Sequence, residues 1–224
     1  MEFYKDYKEA CQSGKTEELY EKHAMDYDES VDKYGWSSIN EHCANLLSPY
    51  LTGKDSDAQS IRIDENEAVL DLGCGTGISG MFLQKLGFRN IIGIDGSQEM
   101  IEQAQSKNLY RKLYKGKLTE YEDFSSLIED SFFRSILCVG CISVGHIRIT
   151  DFLPEISRIL KDGGIAVYTV SSTLNHLQVL KEHFNYLDAA ENSNLELLRI
   201  ERKFYFKSPD GIVNYCYVYV VKKI

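Results

Sequence analysis

The sequence predicts an α/β protein: a doubly wound, seven-stranded, mostly parallel sheet with an antiparallel C-terminal hairpin and an N-terminal helical cap. Three observations carry this. A short apolar run, Ala68-Val69-Leu70-Asp71-Leu72, ends in alternating glycines at 73, 75 and 77, which suits a buried parallel strand running into a tight turn. Strand-like and helix-like segments then alternate with short connections, the pattern of a parallel sheet covered on both faces. Last, two long β-like runs flank Ser208-Pro209-Asp210-Gly211. Proline presets φ there and glycine tolerates positive φ, so the pair folds back as a hairpin.

Taken in order, residues 1–62 read as a polar helical cap without strand character, dotted with Tyr4, Tyr7, Tyr20, Tyr27, Tyr34 and Tyr50. Within it, Asn40 to Leu51 carries Leu46, Leu47 and Leu51 at helical spacing, and Thr52 to Asp57 reads as a loop. The domain proper spans 63–224. After the first strand, Ile78 to Leu86 is a helix ended by Gly87, and Asn90 to Asp95 is a second strand. Gln98 to Lys107 is a helix with Met100, Ile101 and Ala104 inward and Ser97 as its N-cap. Tyr110 to Lys117 is a weaker third strand and Ser135 to Gly140 a strongly apolar fourth. Asp151 to Lys161 is a helix stopped by Gly163-Gly164, and Ile165 to Val170 is the fifth strand. Leu177 to Leu187 is helical, and Leu195 to Lys207 and Ile212 to Val221 are the hairpin strands.

Composition narrows the function. With 224 residues, 43 % hydrophobic and 26 % charged, the chain is an ordinary globular protein. Its net charge of −9 argues against a phosphate backbone as partner, so no nucleic acid is expected. Arg111, Lys112, Lys115 and Lys117 form the densest basic stretch, expected as solvated strand approach. The charged N-terminus lacks the apolar core of a signal peptide, and the longest apolar run, Ile136 to Val144, falls short of the ~20 residues a membrane span needs. Six scattered cysteines suit reduced thiols in a cytoplasmic protein.

The chemistry lies in Val69-Leu-Asp-Leu-Gly-Cys-Gly-Thr-Gly77. Glycines after a buried strand let a ligand lie against the backbone, outside the carboxyl ends of the sheet. About twenty residues on, Asp95 ends the second strand and can accept hydrogen bonds from both hydroxyls of a ribose. A nucleoside-containing cofactor follows. Gly75 to Gly80 also spells the dinucleotide pattern GxGxxG. However, the glycine directly after the strand is Gly73, and counting from it puts Ile78 at the sixth position. Asp71 would also oppose a pyrophosphate, whereas the sulfonium and ammonium of S-adenosylmethionine tolerate a carboxylate.

With Gly93-Ile-Asp-Gly-Ser-Gln-Glu-Met-Ile101 and Leu153-Pro-Glu-Ile-Ser-Arg-Ile-Leu-Lys-Asp-Gly-Gly-Ile-Ala-Val167 added, residues 60 to 224 resemble the Rossmann-like class I S-adenosylmethionine-dependent methyltransferases. The resemblance implies that Gly73, Cys74, Gly75, Thr76 and Gly77 border the methionine and ribose portions. It implies Asp71 near the cofactor's ammonium and Asp95 on the ribose hydroxyls. Gly96, Met100 and Leu118 would border the adenine, Gly140 would offer its carbonyl to the ammonium, and Tyr27 would close over the cofactor. Two departures stand out: Lys117 occupies the position where the family often has an acid, and Phe133-Arg134 replaces Phe-Asp before the fourth strand.

Methyl transfer needs alignment in a dry pocket rather than a metal, and no metal-ligand spacing is present. His146, just past the fourth strand, is the candidate general base. Tyr27, Tyr34 and Trp36 are candidates to shape an acceptor pocket. The expected acceptor is a small molecule, with no membrane partner and a monomeric or weakly dimeric state. A non-catalytic S-adenosylmethionine-binding regulator and a nicotinamide-dependent oxidoreductase are the alternatives. Cys138-Val-Gly-Cys141 is expected as a packed strand end rather than a redox pair, and His176 and His183 as a solvated helix face.

Overall fold

A computed structural model describes residues 2–52, 67–118, 127–143, 146–172, 176–188 and 194–224. The loop expected at 53–57 and the acidic stretch 119–123 lie outside them.

The N-terminal helices are α1 (Glu2–Ser13), α2 (Thr16–His23), α3 (Tyr27–Tyr34) and α4 (Ser37–Thr52). The alternating part follows as β1 (Val69–Leu72), α5 (Ile78–Lys85), β2 (Ile91–Asp95), α6 (Gln98–Ser106), β3 (Lys112–Lys115), β4 (Phe133–Ile142), α7 (Ile149–Ile159), β5 (Leu160–Ser171) and α8 (His176–Asp188). The chain closes with β6 (Leu195–Lys207) and β7 (Val213–Lys223). Seven strands form one sheet in the order β3-β2-β1-β4-β5-β7-β6. β1 pairs in parallel with β2 and β4, while β7 runs antiparallel to both β5 and β6. The expected hairpin turn forms: Gly211 has φ +85°, and its N–H donates to the Ser208 carbonyl at 2.9 Å.

Burial explains the strand types. All four residues of β1 are buried, so it must pack on both faces. On one face α7 and α8 set Phe152, Ile156 and Val179 against Leu70, Ile136 and Tyr168. On the other, α4 and α5 set Ile39, Leu47 and Leu83 against Val69, Leu137 and Val218. α4 is therefore a layer of the sheet domain. Only α1–α3 form a separate aromatic cluster, in which Phe3, Tyr34 and Trp36 pack with Phe206 of β6.

Three expectations need correction. The glycine pair at 163–164 does not stop α7, which ends at Ile159 and passes directly into β5. Leu160 pairs with Phe133, Lys161 to Gly164 bulge out, and pairing resumes at Ser135 with Ile165. His183 is not on a solvated face: it is fully buried, beside the Tyr168 hydroxyl and stacked on Tyr219. Burial lowers its pKa to about 4, which keeps it neutral. Lys117 is not simply solvated either, since it pairs with Glu17 of α2.

Candidate functional site

Successive strands are added to one side of β1 as far as β3, then to the other side from β4. Such a reversal leaves a crevice at the carboxyl ends of the strands. Here α1–α3 roof the crevice, and a cavity of about 380 Å3 results.

Its floor is the turn after β1. Gly73, Gly75 and Gly77 have φ of +70°, +52° and +94°, a region side chains disfavour. The N–H groups of Gly73 and Cys74 both donate to the Ile94 carbonyl, at 2.8 and 3.0 Å, which ties the turn to β2. The three glycines do different things. A Cβ at Gly75 would meet nothing within 4 Å, so this position opens onto the cavity. A Cβ at Gly73 would lie 2.1 Å from Cys141 Sγ. One at Gly77 would lie 3.1 Å from the Tyr110 ring, and Gly77 caps α5 without lining the cavity.

Asp95 closes β2 at the cavity wall. Its Oδ2 accepts the Gly75 N–H at 2.8 Å and its Oδ1 accepts the Ser97 N–H at 2.9 Å. Burial raises its pKa, and those backbone donors work against the rise. Each carboxylate oxygen keeps capacity for a further donor. Asp71 goes elsewhere. Strand alternation turns it away from the cavity, to the face where Tyr110 donates to its Oδ2 at 2.6 Å. Burial pushes that carboxyl up to about 7, and its Oδ1 has no hydrogen-bond partner among the described residues.

The remaining expected residues converge. Cys74, Thr76, Gly96, Met100, Leu118, Gly140, Tyr27 and His146 all line the cavity. Ser97 caps α6 by accepting the Met100 N–H at 3.3 Å, which fixes Met100 in place. Gly140, at φ +84°, breaks the β4–β5 register between Cys138 and Ile142. Cys138 therefore stays in the core while Cys141, one turn of backbone later, reaches the cavity. Tyr34 does not reach it and packs on Trp36 instead, whereas Trp36 does line it.

Polar links fasten the roof. Asp28 of α3 accepts from Thr76 in the glycine turn and from Lys107 after α6. Glu17 of α2 pairs with Lys117, which itself lines the cavity. Tyr20 of α2 sets its hydroxyl 2.8 Å from His146 Nε2, and Ser143 Oγ lies 2.7 Å from His146 Nδ1. His146 is thus held at both nitrogens. Sequence reasoning missed Glu17, Tyr20, Cys141, Ser143 and Tyr205 as wall or support residues. Glu17, Tyr20 and Tyr205 carry no motif and are brought in only by the folding of α2 and β6 onto the crevice, whereas Cys141 and Ser143 follow Gly140 at the end of β4. Among the described residues no cluster of three or more metal-ligating side chains exists.

Residues 69–164 match the protein family described as a methyltransferase domain. Over 177 residues the chain is 29 % identical to human Methyltransferase-like protein 27, covering 79 % of this chain and 66 % of that protein. It thus spans a little under two thirds of that relative's length. Two solved structures share the fold. One is a chain from the Haloferax volcanii complex with the Trm112 methyltransferase activator, at TM-score 0.60 and 18 % identity, covering 90 % of this chain and 96 % of that one. The other is geranyl diphosphate C-methyltransferase from Streptomyces coelicolor A3(2), at TM-score 0.55 and 13 % identity, covering 81 % and 78 %. The glycine turn, the acid that closes β2 and the strand order agree with that match: over residues 69–164 the chain is similar to a methyltransferase domain.

Proposed function

We propose that this protein transfers a methyl group from S-adenosylmethionine to a small-molecule acceptor held under α1–α3. The roof is the observation that carries the reading: side chains from α1, α2, α3 and β6 line the same cavity as the glycine turn, about 380 Å3 in all. That is near the lower end of the ~300–1,000 Å3 typical of small-molecule sites. A macromolecular acceptor needs an open approach to the methyl group, and the net charge of −9 adds no attraction for a nucleic acid.

The residues fit the cofactor. The open flank of Gly75 admits a ligand against the backbone, and Asp95 offers a fixed carboxylate beside it. Gly73, Cys74 and Thr76 border the methionine and ribose portions, Gly96, Met100 and Leu118 the adenine, and the Gly140 carbonyl the ammonium. Asp71 and Gly77 act from behind, the first bonded to Tyr110 and the second as the α5 cap. Tyr27 covers the bound ligand. When bound, S-adenosylmethionine supplies an electrophilic methyl on a sulfonium. The chain's own task is to align the acceptor with that methyl and exclude water, an effect worth about 7–11 kcal/mol in favourable cases. His146, held by Ser143, takes through the Tyr20 hydroxyl the proton of an acceptor that must lose one. The six cysteines form no disulfide, which suits a reducing, cytoplasmic setting.

Calorimetric titration with S-adenosylmethionine, S-adenosylhomocysteine and NAD tests the cofactor: micromolar binding of the adenosyl ligands alone is expected, and binding of NAD alone would overturn the reading. Release of S-adenosylhomocysteine with a metabolite fraction, and none with protein or RNA fractions, is expected for the acceptor. The reverse pattern would place the acceptor among macromolecules.

A further inference from the structure

We infer that the acceptor is a small amine, received as a cation among the aromatic rings under the roof and methylated on its nitrogen. The inference rests on the methyl-transfer reading above and narrows it.

The first observation is the wall itself. Tyr7, Tyr20, Tyr27, Trp36 and Tyr205 all line the cavity. They are linked ring to ring: Tyr20 to Tyr27 at 5.9 Å, Tyr7 to Trp36 at 5.7 Å and Trp36 to Tyr205 at 6.1 Å between centroids. Aromatic faces attract cations, most strongly where water is excluded.

The second is charge. Burial holds the phenols of Tyr20, Tyr27 and Tyr205 above their ordinary range, so this end of the cavity carries neutral hydroxyls. Lys117 is the one Lys or Arg among the described wall residues, and it already faces Glu17. Asp95 and Glu17 are on the wall, and Asp28 and Asp95 both act on the Tyr27 phenol. With Lys117 and Glu17 paired to each other, a carboxylate or phosphate acceptor would find no counter-charge here, whereas a cation finds ring faces. The net charge of −9 also draws cations toward the protein.

The chemistry closes on the same groups. An amine arriving as its ammonium gives up one N–H proton to the Tyr20 hydroxyl oxygen on the wall, as that hydroxyl passes its own proton to His146 Nε2, 2.8 Å away. The freed lone pair then forms the N–CH3 bond as the C–S bond breaks, and the sulfur keeps the electron pair as the thioether of S-adenosylhomocysteine. Positive charge passes from sulfur to nitrogen within one ring-lined space, so the wall that binds the reactant cation also stabilises the product cation.

The test is calorimetry on the protein saturated with S-adenosylhomocysteine, using choline, its neutral carbon analogue in which tert-butyl replaces trimethylammonium, and benzoate. Choline should bind at least about tenfold more tightly than the analogue, and benzoate more weakly still. Tyr7→Leu, in α1 and away from the glycine turn, should weaken choline severalfold while leaving the S-adenosylhomocysteine dissociation constant unchanged. Equal binding of choline and its analogue, tighter binding of benzoate, or no binding of any probe overturns the amine assignment. Failure of S-adenosylhomocysteine to bind overturns the methyl-transfer reading instead.

Discussion

Asp95→Ala is the substitution with the sharpest expected outcome. The carboxylate already holds the Gly75 and Ser97 N–H groups at 2.8 and 2.9 Å, so it is fixed before any ligand arrives. A ribose hydroxyl added to such an oxygen makes a charge-assisted hydrogen bond, worth about 1.5–3 kcal/mol net. At about 1.4 kcal/mol per decade, its loss should weaken S-adenosylhomocysteine binding roughly 10- to 100-fold. Asp95→Asn keeps one accepting oxygen but turns an NH2 toward one of the two backbone donors, so an intermediate loss is expected. Calorimetry gives the dissociation constant and a thermal melt separates the structural role. Both variants should melt earlier, because the turn loses its tie to β2. A lowered Tm with a dissociation constant within twofold of wild type would refute the ribose assignment while leaving the structural one intact. Because burial raises the Asp95 pKa, wild-type affinity should begin to fall on acidification above the ordinary aspartate value of about 3.9.

Gly73→Ala forces a Cβ to 2.1 Å from Cys141 Sγ at φ +70°, and the backbone strain alone is on the order of 1–3 kcal/mol. It should abolish S-adenosylhomocysteine binding and lower Tm, with Cys141→Ala in the same chain restoring only part of the melt; normal binding by the single variant would contradict the turn geometry. Asp71 is a carboxyl raised to about 7 by burial, so its contribution is complete below its unfolded value and lost as pH rises through that point. The stability of Asp71→Asn relative to wild type should therefore grow between pH ~4 and ~8 by on the order of 3 kcal/mol in urea titrations; a constant gap would mean the carboxyl is not desolvated. His183, lowered to about 4, contributes stability above its unfolded pKa that is lost as pH falls toward 4. His183→Gln should lose up to about 3 kcal/mol less between pH ~7 and ~4 than wild type does, and parallel acid curves would count against a neutral, buried imidazole. Asp28→Ala removes the link from α3 to Thr76 and Lys107. Hydrogen exchange across residues 16–34 should accelerate with the sheet unaffected; unchanged exchange would show that the aromatic cluster alone holds the roof.

Much of the fold is legible because local rules and burial agree. The apolar run at 69–72 is buried on both faces, and Ser97 caps α6 as its position predicts. Legibility fails where long-range pairing decides. Gly163-Gly164 looks like a helix stop, yet the pairing of Leu160 with Phe133 draws the preceding residues into β5. His183 sits in a helix of mixed polarity, and only the arrival of Tyr168 and Tyr219 from two strands makes its environment apolar. The glycine-turn side of the cavity is contiguous with a motif, so most of its wall residues are legible in the sequence, except that strand alternation sends Asp71 to the opposite face and Gly77 caps α5 instead. The side lined by the tyrosines is legible only in part: His146, Tyr27 and Trp36 are candidates in the sequence and line the cavity, whereas Tyr20 and Tyr205 come from segments far apart and joined by no pattern.

The position of β7 between β5 and β6 sets an order on biosynthesis. A nascent chain that has emerged through β4 already contains the glycine turn, Asp95 and Met100. Tyr205, which lines the cavity beside Trp36, and Phe206, which packs on Trp36, belong to a strand that has no neighbour in the sheet until β7 is made and slots beside it. Because domains form as their segments emerge from the ribosome, the β6 side of the cavity is completed after the glycine-turn side, and the aromatic helices α1–α3, made before both, must wait for it.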